Sequence, residues 1–206
     1  MARTASSRQW LDRQQSDPYV KRAQLEGYRS RAAYKLLEIQ AKDRILRSGM
    51  RVLDLGAAPG SWSQIAARLV APGGRVVALD LLPMDPLAGV TVLQGDFREP
   101  EALERLVETF GGESLHLVLS DMAPNMTGMA AVDQPRSIYL CELALELARE
   151  RLQPGGSLVV KVFQGTGFDE LLRDVRRSFR QVLSRKPKSS RSQSRELYLV
   201  AKDFHP

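Results

Sequence analysis

Apolar positions along the chain switch repeatedly between a continuous run and a helical stripe. "RVLDL" (51–55) is a short apolar run, and "SWSQIAARLV" (61–70) is an amphipathic stretch stopped by "APGG". "RVVALD" (75–80) and "VTVLQGD" (90–96) are runs, and "PEALERLVETF" follows with helical spacing. "LHLVLSD" (115–121) precedes a long helical pattern at 134–152, which has Pro135 near its first turn and "PGG" beyond its end. "SLVVKVF" (157–163), the stripe 168–179, "RQVLSRK" and "SRELYLVAK" complete the chain. Runs of four to eight apolar residues bounded by turn residues predict buried strands, and i, i+3, i+4 stripes predict helices. Ahead of these, "SRAAYKLLEIQ" (30–40) predicts a short amphipathic helix with Ser30 as its N-cap. Residues 1–16 are polar and aperiodic.

Strands separated by helices pair in parallel through right-handed crossovers. The last two strands have only a basic loop between them and should be antiparallel. The expected architecture is an α/β, doubly wound sheet of seven strands, one of them antiparallel and inserted near an edge, with helices on both faces. The expected organisation is a flexible basic arm over 1–16 and a single domain over 17–206.

Charge changes the picture more than composition does. Residues 1–50 carry 11 Lys/Arg against 5 Asp/Glu, residues 51–172 carry 9 against 16, and residues 173–206 carry 10 against 3. Basic ends favour a polyanionic partner such as RNA or DNA, whereas an acidic middle is a poor place for a polyphosphate. No run of 18 apolar residues predicts a membrane span, and the first residues lack an apolar leader core, so a cytoplasmic location is expected. Cys141, the one cysteine, lies in a helical apolar pattern and is expected to be a packed thiol. No Cys/His grouping has metal-ligand spacing, so no metal is expected.

In an open parallel sheet, ligands bind beyond the carboxyl ends of the strands. Gly56–Gly60 would form the loop there, but "GAAPG" is neither the dinucleotide fingerprint G-x-G-x-x-G nor a phosphate-binding P-loop. Four strands end in or beside an acid: Asp54, Asp80, Asp96 and Asp121. Asp80, after the second strand, is placed to accept from both hydroxyls of a ribose, and Asp96 from an adenine amino group. Four such acids would repel a pyrophosphate and suit a ligand carrying an adenosine, an amine and a positive sulfur. S-adenosylmethionine answers that description, with Trp62 and Leu81 as packing candidates.

"VLDLGAAPGSWSQ", "DLLPMDP", "LQGDFRE", "SDMAPNMTG", "VVKVFQG" and "SRELYLVA" together resemble the FtsJ/RrmJ family, in register and order from about residue 20 to 203. One departure is Ser61, where the family usually has a second glycine. The resemblance implies a Rossmann-like S-adenosylmethionine-dependent methyltransferase fold. It implies a catalytic tetrad at Lys35, Asp121, Lys161 and Glu196, and donor contacts from Gly60, Trp62, Asp80, Asp96 and Asp121. It also implies a uridine ribose 2'-O in the A-loop of 23S rRNA as acceptor, within the large ribosomal subunit. A monomer is expected.

Such a transfer needs a group that accepts the hydroxyl proton or directs the oxygen lone pair. Lys161 lies inside an apolar strand, where an amine is costly unless paired. As a free amine it could act as base, and charged it could only orient. Glu196 would sit on the strand beside it. Lys35 alone reads as a surface residue, and only the resemblance promotes it. The basic segments Arg22, Arg29, Arg31 and Arg185, Lys186, Lys188, Arg191, Arg195 would position RNA through phosphates. Two rivals remain from sequence. "DMAPN" is not the Asn/Asp-Pro-Pro-aromatic turn that base amino methylation wants. A non-catalytic large-subunit assembly factor that binds rRNA would not need the intact acids, glycine loop and strand lysine.

Overall fold

The computed structural model describes residues 17–206, so the expected arm at 1–16 lies outside the described residues. Seven strands form one sheet: β1 (Arg51–Leu55), β2 (Arg75–Asp80), β3 (Val90–Gln94), β4 (Leu115–Ser120), β5 (Leu152–Phe163), β6 (Phe179–Arg185) and β7 (Glu196–Phe204). Their order is β3-β2-β1-β4-β5-β7-β6. The pairs from β3 through to β5 are parallel, and β7 runs antiparallel between β5 and β6. The inserted strand expected from the short basic connection is therefore β7.

The helices are α1 (Pro18–Leu25), α2 (Ala33–Asp43), α3 (Ser61–Val70), α4 (Pro100–Thr109), α5 (Ala130–Arg151) and α6 (Phe168–Ser178). Successive strand residues face opposite sides, so the sheet divides its side chains between two cores. Leu53, Leu55, Val77, Val118, Leu158 and Val160 meet α4, α5 and α6 through residues such as Leu106, Leu145 and Val175. Val52, Val76, Leu117, Leu119, Val159 and Tyr198 meet α2 and α3 through Leu36, Ile39, Trp62 and Ile65. The parity that places Val159 on the second face also places Lys161 there. The same holds for Asp54 beside Val52, and for Glu196 beside Tyr198.

Several boundaries differ from the pattern-based expectation. α1 was not expected. Asp17 caps it by accepting from the Tyr19 N–H at 3.0 Å, with Pro18 in the first turn, the usual Asp-Pro start. Only Ala23 of this helix is buried, so no apolar stripe marks it. The N-cap of α2 is Ala32 rather than Ser30. α5 starts at Ala130, four residues before the pattern, and holds Pro135 inside it. Cys141 is buried as expected, and its Sγ donates to the Lys161 carbonyl at 3.0 Å. Burial pushes its thiol up to about 12, which keeps it protonated and inert. No helix among the described residues is long and apolar enough to cross a membrane.

Candidate active site at the carboxyl ends of the strands

β1 ends at Leu55, and the chain turns through Gly56 at φ 67°. A Cβ at residue 56 would lie 2.4 Å from Met122 Cγ, so only glycine lets the loop after β4 close down at this point. The Asp80 carboxylate, at the end of β2, accepts from the Ala58 N–H and the Leu82 N–H, each at 2.8 Å. It thereby joins the loops after β1 and β2. Each of its oxygens retains a second lone pair for a ligand hydroxyl.

Arg29 reinforces the same corner. Its guanidinium donates to the carbonyls of Pro59 (2.9 Å), Asp85 (2.9 Å) and Pro86 (2.7 Å). Gly60 lies beneath it: a Cβ there would stand 3.0 Å from both Arg29 Nη1 and Met84 Sδ. Gly60 is thus placed under the Arg29 clamp and does not line the cleft described next. Ser61, the departure from the family pattern, is buried, and its hydroxyl pairs with that of Ser30 at 2.6 Å. Ser30 is a tie between the N-terminal segment and the glycine loop, not the expected cap of α2.

Beside this loop runs a cleft of about 550 Å³, lined among others by Gly56, Asp80, Leu81, Asp96, Asp121 and Tyr139. It suits the adenosine end of the inferred donor: apolar side chains for a base, and carboxylates but no phosphate cradle. Asp96 is held by Arg98, whose Nε donates to both carboxylate oxygens at 2.9 Å. The Arg98 hydrogen bonds hold the Asp96 carboxyl below its ordinary value. An adenine amino group would therefore share Asp96 with Arg98, a partner the sequence reading lacked. A smaller recess adjoins the cleft and is bordered by Asp54, Ser61, Trp62 and Asp121. Trp62 is otherwise a core residue: it is buried, its Nε1–H donates to the Ala32 carbonyl at 2.9 Å, and its ring packs 5.5 Å from that of Tyr198. Asp54 is buried, and Ser63 Oγ donates to it at 2.6 Å. Burial pushes its carboxyl up to about 7, with the Asp121 and Asp80 charges adding to the shift.

The four residues of the implied tetrad fall into two ion pairs on the α2/α3 face. Lys161 Nζ stands 3.0 Å from Asp121 Oδ1 and also donates to the Asp121 carbonyl. Lys35 Nζ stands 2.8 Å from Glu196 Oε1. Tyr198 joins them. Its hydroxyl donates to Asp121 Oδ1 at 2.6 Å, and Lys35 Nζ lies 5.7 Å from its ring centroid. Burial pushes the Glu196 carboxyl up, but the Lys35 charge and hydrogen bond, with Ser190 and Lys161, outweigh it and hold the group below its ordinary value. Tyr198 was missed from sequence. The available signal was its parity with Glu196 and its pairing with Lys161 across β5 and β7.

The basic segments separate into scaffold and free charge. Arg29 is spent on carbonyls; Arg31 bonds Asp17 and the Ser189 carbonyl; Arg22 pairs with Glu26; Arg185 pairs with buried Asp43 at 2.6 Å. These four do not form the free phosphate-binding row the sequence led us to expect. Lys186 bonds the carbonyls of Ser194 and Glu196. Lys188, Arg191 and Arg195 are exposed. The loop that carries them is docked on α2, since Glu38 accepts from the Lys188 and Ser189 N–H groups at 2.6 and 2.9 Å.

Two outcomes follow from this geometry. Arg29→Ala frees three carbonyls in two cleft loops. It should raise the dissociation constant for the adenosine ligand at least about tenfold, as expected for lost charge-assisted hydrogen bonds, while leaving the salt dependence of polyanion binding unchanged; isothermal titration and salt titrations read the two. Asp54→Asn removes a carboxyl whose folded-state value lies above its ordinary 3.8. Ionising such a group costs the folded state stability as pH rises from about 4 to about 7. The variant should therefore gain in melting temperature over the wild type across that interval and hold a constant gain above it.

The chain is similar to several proteins of known family. The FtsJ-like methyltransferase family matches residues 28–204. A protein of Chromohalobacter salexigens named ribosomal RNA large subunit methyltransferase E is 58% identical over 200 residues, covering 97% of this chain and 95% of the relative. A protein of the same name from Pseudomonas aeruginosa PAO1 is 56% identical over 204 residues, covering 99% of each. A crystal structure of a Plasmodium falciparum protein named as a ribosomal RNA methyltransferase superposes with TM-score 0.77 at 31% identity, covering 86% of this chain and 98% of that one. The fold is shared with Aeropyrum pernix fibrillarin bound to S-adenosyl-L-methionine, at TM-score 0.57 and 17% identity, covering 82% and 75%. With this breadth of match, the chain belongs to the FtsJ-like methyltransferase family, enzymes that take their methyl group from S-adenosylmethionine.

Proposed function

We propose that this chain methylates the ribose 2'-O of a uridine in the A-loop of 23S rRNA, within the large ribosomal subunit. The observation that carries the reading is the Lys161–Asp121–Tyr198 junction beside the donor cleft. A ribose hydroxyl is a weak nucleophile, and a base amino group or a carbon nucleophile would need other partners, an Asn/Asp-Pro-Pro turn or a placed cysteine. Neither serves this cleft, since "DMAPN" occupies the turn and Cys141 is buried. The names of the bacterial relatives support ribosomal RNA as the acceptor.

The donor, when bound, supplies a methyl group on a positive sulfur. The work of the chain is to place the oxygen in line with it and to move one proton. Lys161 Nζ spends two of its three substituent directions on the Asp121 carbonyl and carboxylate. In this mechanism the third direction meets the 2'-hydroxyl. The ion-paired ammonium first releases one proton to solvent; the free amine then takes the hydroxyl proton as the new carbon–oxygen bond forms and the methyl carbon–sulfur bond breaks, the sulfur leaving as a neutral thioether, and the ammonium so restored is stabilised by Asp121. Tyr198 keeps the Asp121 carboxylate turned toward Lys161. Lys35 and Glu196 complete the charge balance where the ribose lies, and exposed Arg191 and Arg195 meet the flanking phosphates.

Incubation of large subunits from a strain lacking the protein with labelled donor should yield a nuclease-resistant dinucleotide that maps to one uridine. Label in a nuclease-sensitive base would overturn the 2'-O assignment, and binding without transfer would favour an assembly factor. Lys161→Ala and Lys161→Arg should both lose at least about 100-fold in single-turnover rate, because arginine keeps the charge but accepts no proton; an active arginine variant would reduce the lysine to an orienting role. Reversing charge at Arg191 and Arg195 should weaken RNA binding and flatten its salt dependence, and an unchanged slope would count against this surface.

A further inference from the structure

A second groove, of about 510 Å³, lies at the opposite edge of the sheet, where β1, β4 and β5 begin and β7 ends. Ligands of the donor type do not bind at this edge of a parallel sheet, and the proposed reaction makes no use of it. Its wall is an irregularity in β5. Between two paired positions β4 advances from Leu115 to Leu117 while β5 advances from Leu152 to Ser157. The four residues between these positions, Gln153–Gly156 ("QPGG"), stand opposite His116 alone and bulge out. Gly156 packs so tightly that a Cβ would lie 2.9 Å from the Gln153 carbonyl. A large bulge of this sort redirects side chains and marks functional edges.

The chemistry of the groove is cationic and polar. Arg44, Arg47 and Lys202 line it, with His116, Ser157 and Gln181 supplying neutral donors. Asp203 is its one acid, 3.6 Å from Arg180. Among the described residues neither exposed arginine enters an ion pair, whereas Arg51, Arg180 and Arg185 nearby all do. His116 Nδ1 accepts from the Arg51 N–H at 3.0 Å, which leaves Nε2 as the nitrogen that donates. Burial, with Arg51 and Arg47, holds the ring below its ordinary value, so it is neutral at physiological pH. Among the described residues, only two non-glycine residues take positive φ, Arg44 at 49° and Asp203 at 61°. Both line this groove. Arg44 takes this conformation as the left-handed C-cap of α2, its N–H donating to the Gln40 carbonyl at 2.9 Å, and this turn out of the helix presents its side chain at the groove.

We infer that this groove is a second RNA-docking surface, which takes a phosphodiester strand of the substrate well away from the nucleotide being methylated. The inference rests on the reading of the substrate as RNA given above. Unpaired arginines with neutral donors between them match a phosphate backbone, and they carry no base-reading arrangement. Strand β7 links the two regions, with Glu196 at the reaction end and Lys202 at the groove. At a strand's rise this separates them by roughly 20 Å, which an RNA stem spans easily.

The test uses the full-length double variant Arg44→Gln/Arg47→Gln beside the wild type, with large ribosomal subunits from a strain lacking the protein as the probe. The variant should bind RNA about tenfold more weakly at low salt, with a slope of log affinity against log salt shallower by roughly 1 to 2. The KM for RNA should rise, while kcat at saturating RNA and the dissociation constant for S-adenosylmethionine stay at wild-type values. Arg44→Lys/Arg47→Lys should restore most of the slope. Equal slopes and equal KM for the wild type and the glutamine variant overturn the groove while leaving the methyltransferase reading intact. A wild type that neither binds nor methylates these subunits overturns both. A melting curve for each variant identifies any loss due to misfolding, and in that case the single variant Arg47→Gln decides the question by the same slope.

Discussion

The Asp121 carboxylate is the junction on which the rest of the site depends. It follows β4, accepts from Tyr198 on β7, and pairs with Lys161 on β5. Three strands are thus tied by one carboxylate at the end of the sheet where ligands bind. The direction of β7 makes this possible. Because it runs antiparallel, its first residue, Glu196, stands beside Phe163, the last residue of β5. A parallel strand in that place would have carried Glu196 to the opposite edge of the sheet. The single reversal in an otherwise parallel sheet is therefore the topological step that brings a fourth charged group to Lys35.

Paired charges at this depth carry a desolvation cost that good geometry only offsets, so their retention here is better explained by chemistry than by stability. The surroundings over-determine them. Trp62 packs against Tyr198 from one side, and Lys35 covers its ring from another. The loops nearby are fixed in the same way, by polar groups reaching across long sequence separations. Arg29 joins the loops after β1 and β2, and Glu38 and Arg31 hold the basic loop ahead of β7. The basic charge that remains exposed is carried on a supported loop, which lowers the conformational cost of meeting a polyanion.

The strand cores were legible because parallel strands buried on both faces read as continuous apolar runs. The inserted strand was legible from the lack of a helix before it. The last strand was expected beside the Lys161 strand, so Glu196 and Lys161 could meet over one face, and the register between the two strands brings this about. Other features left no local trace. α1 buries one alanine and announces itself only through Asp17 and Pro18. The division of the arginines into scaffold and free charge depends on partners far away in sequence, such as Asp43 for Arg185 and Pro59 for Arg29. Composition counts all of them alike. Tyr198 was hidden for a related reason, since an aromatic residue in a buried strand reads as core until its hydroxyl is seen to meet Asp121.

The central claim is that the Asp121 carboxylate, and not merely the shape around it, sustains the transfer. The most direct measurement is the single-turnover methyl-transfer rate of Asp121→Asn at saturating donor and RNA, with donor affinity and melting temperature recorded alongside. The isosteric amide keeps the size of the side chain and can still accept from Tyr198, but it removes the charge facing Lys161. The account predicts a rate lower by about 100-fold or more, in the range of a lost acid–base partner, in a protein that stays folded and binds the donor. A rate within about twofold of wild type would contradict it.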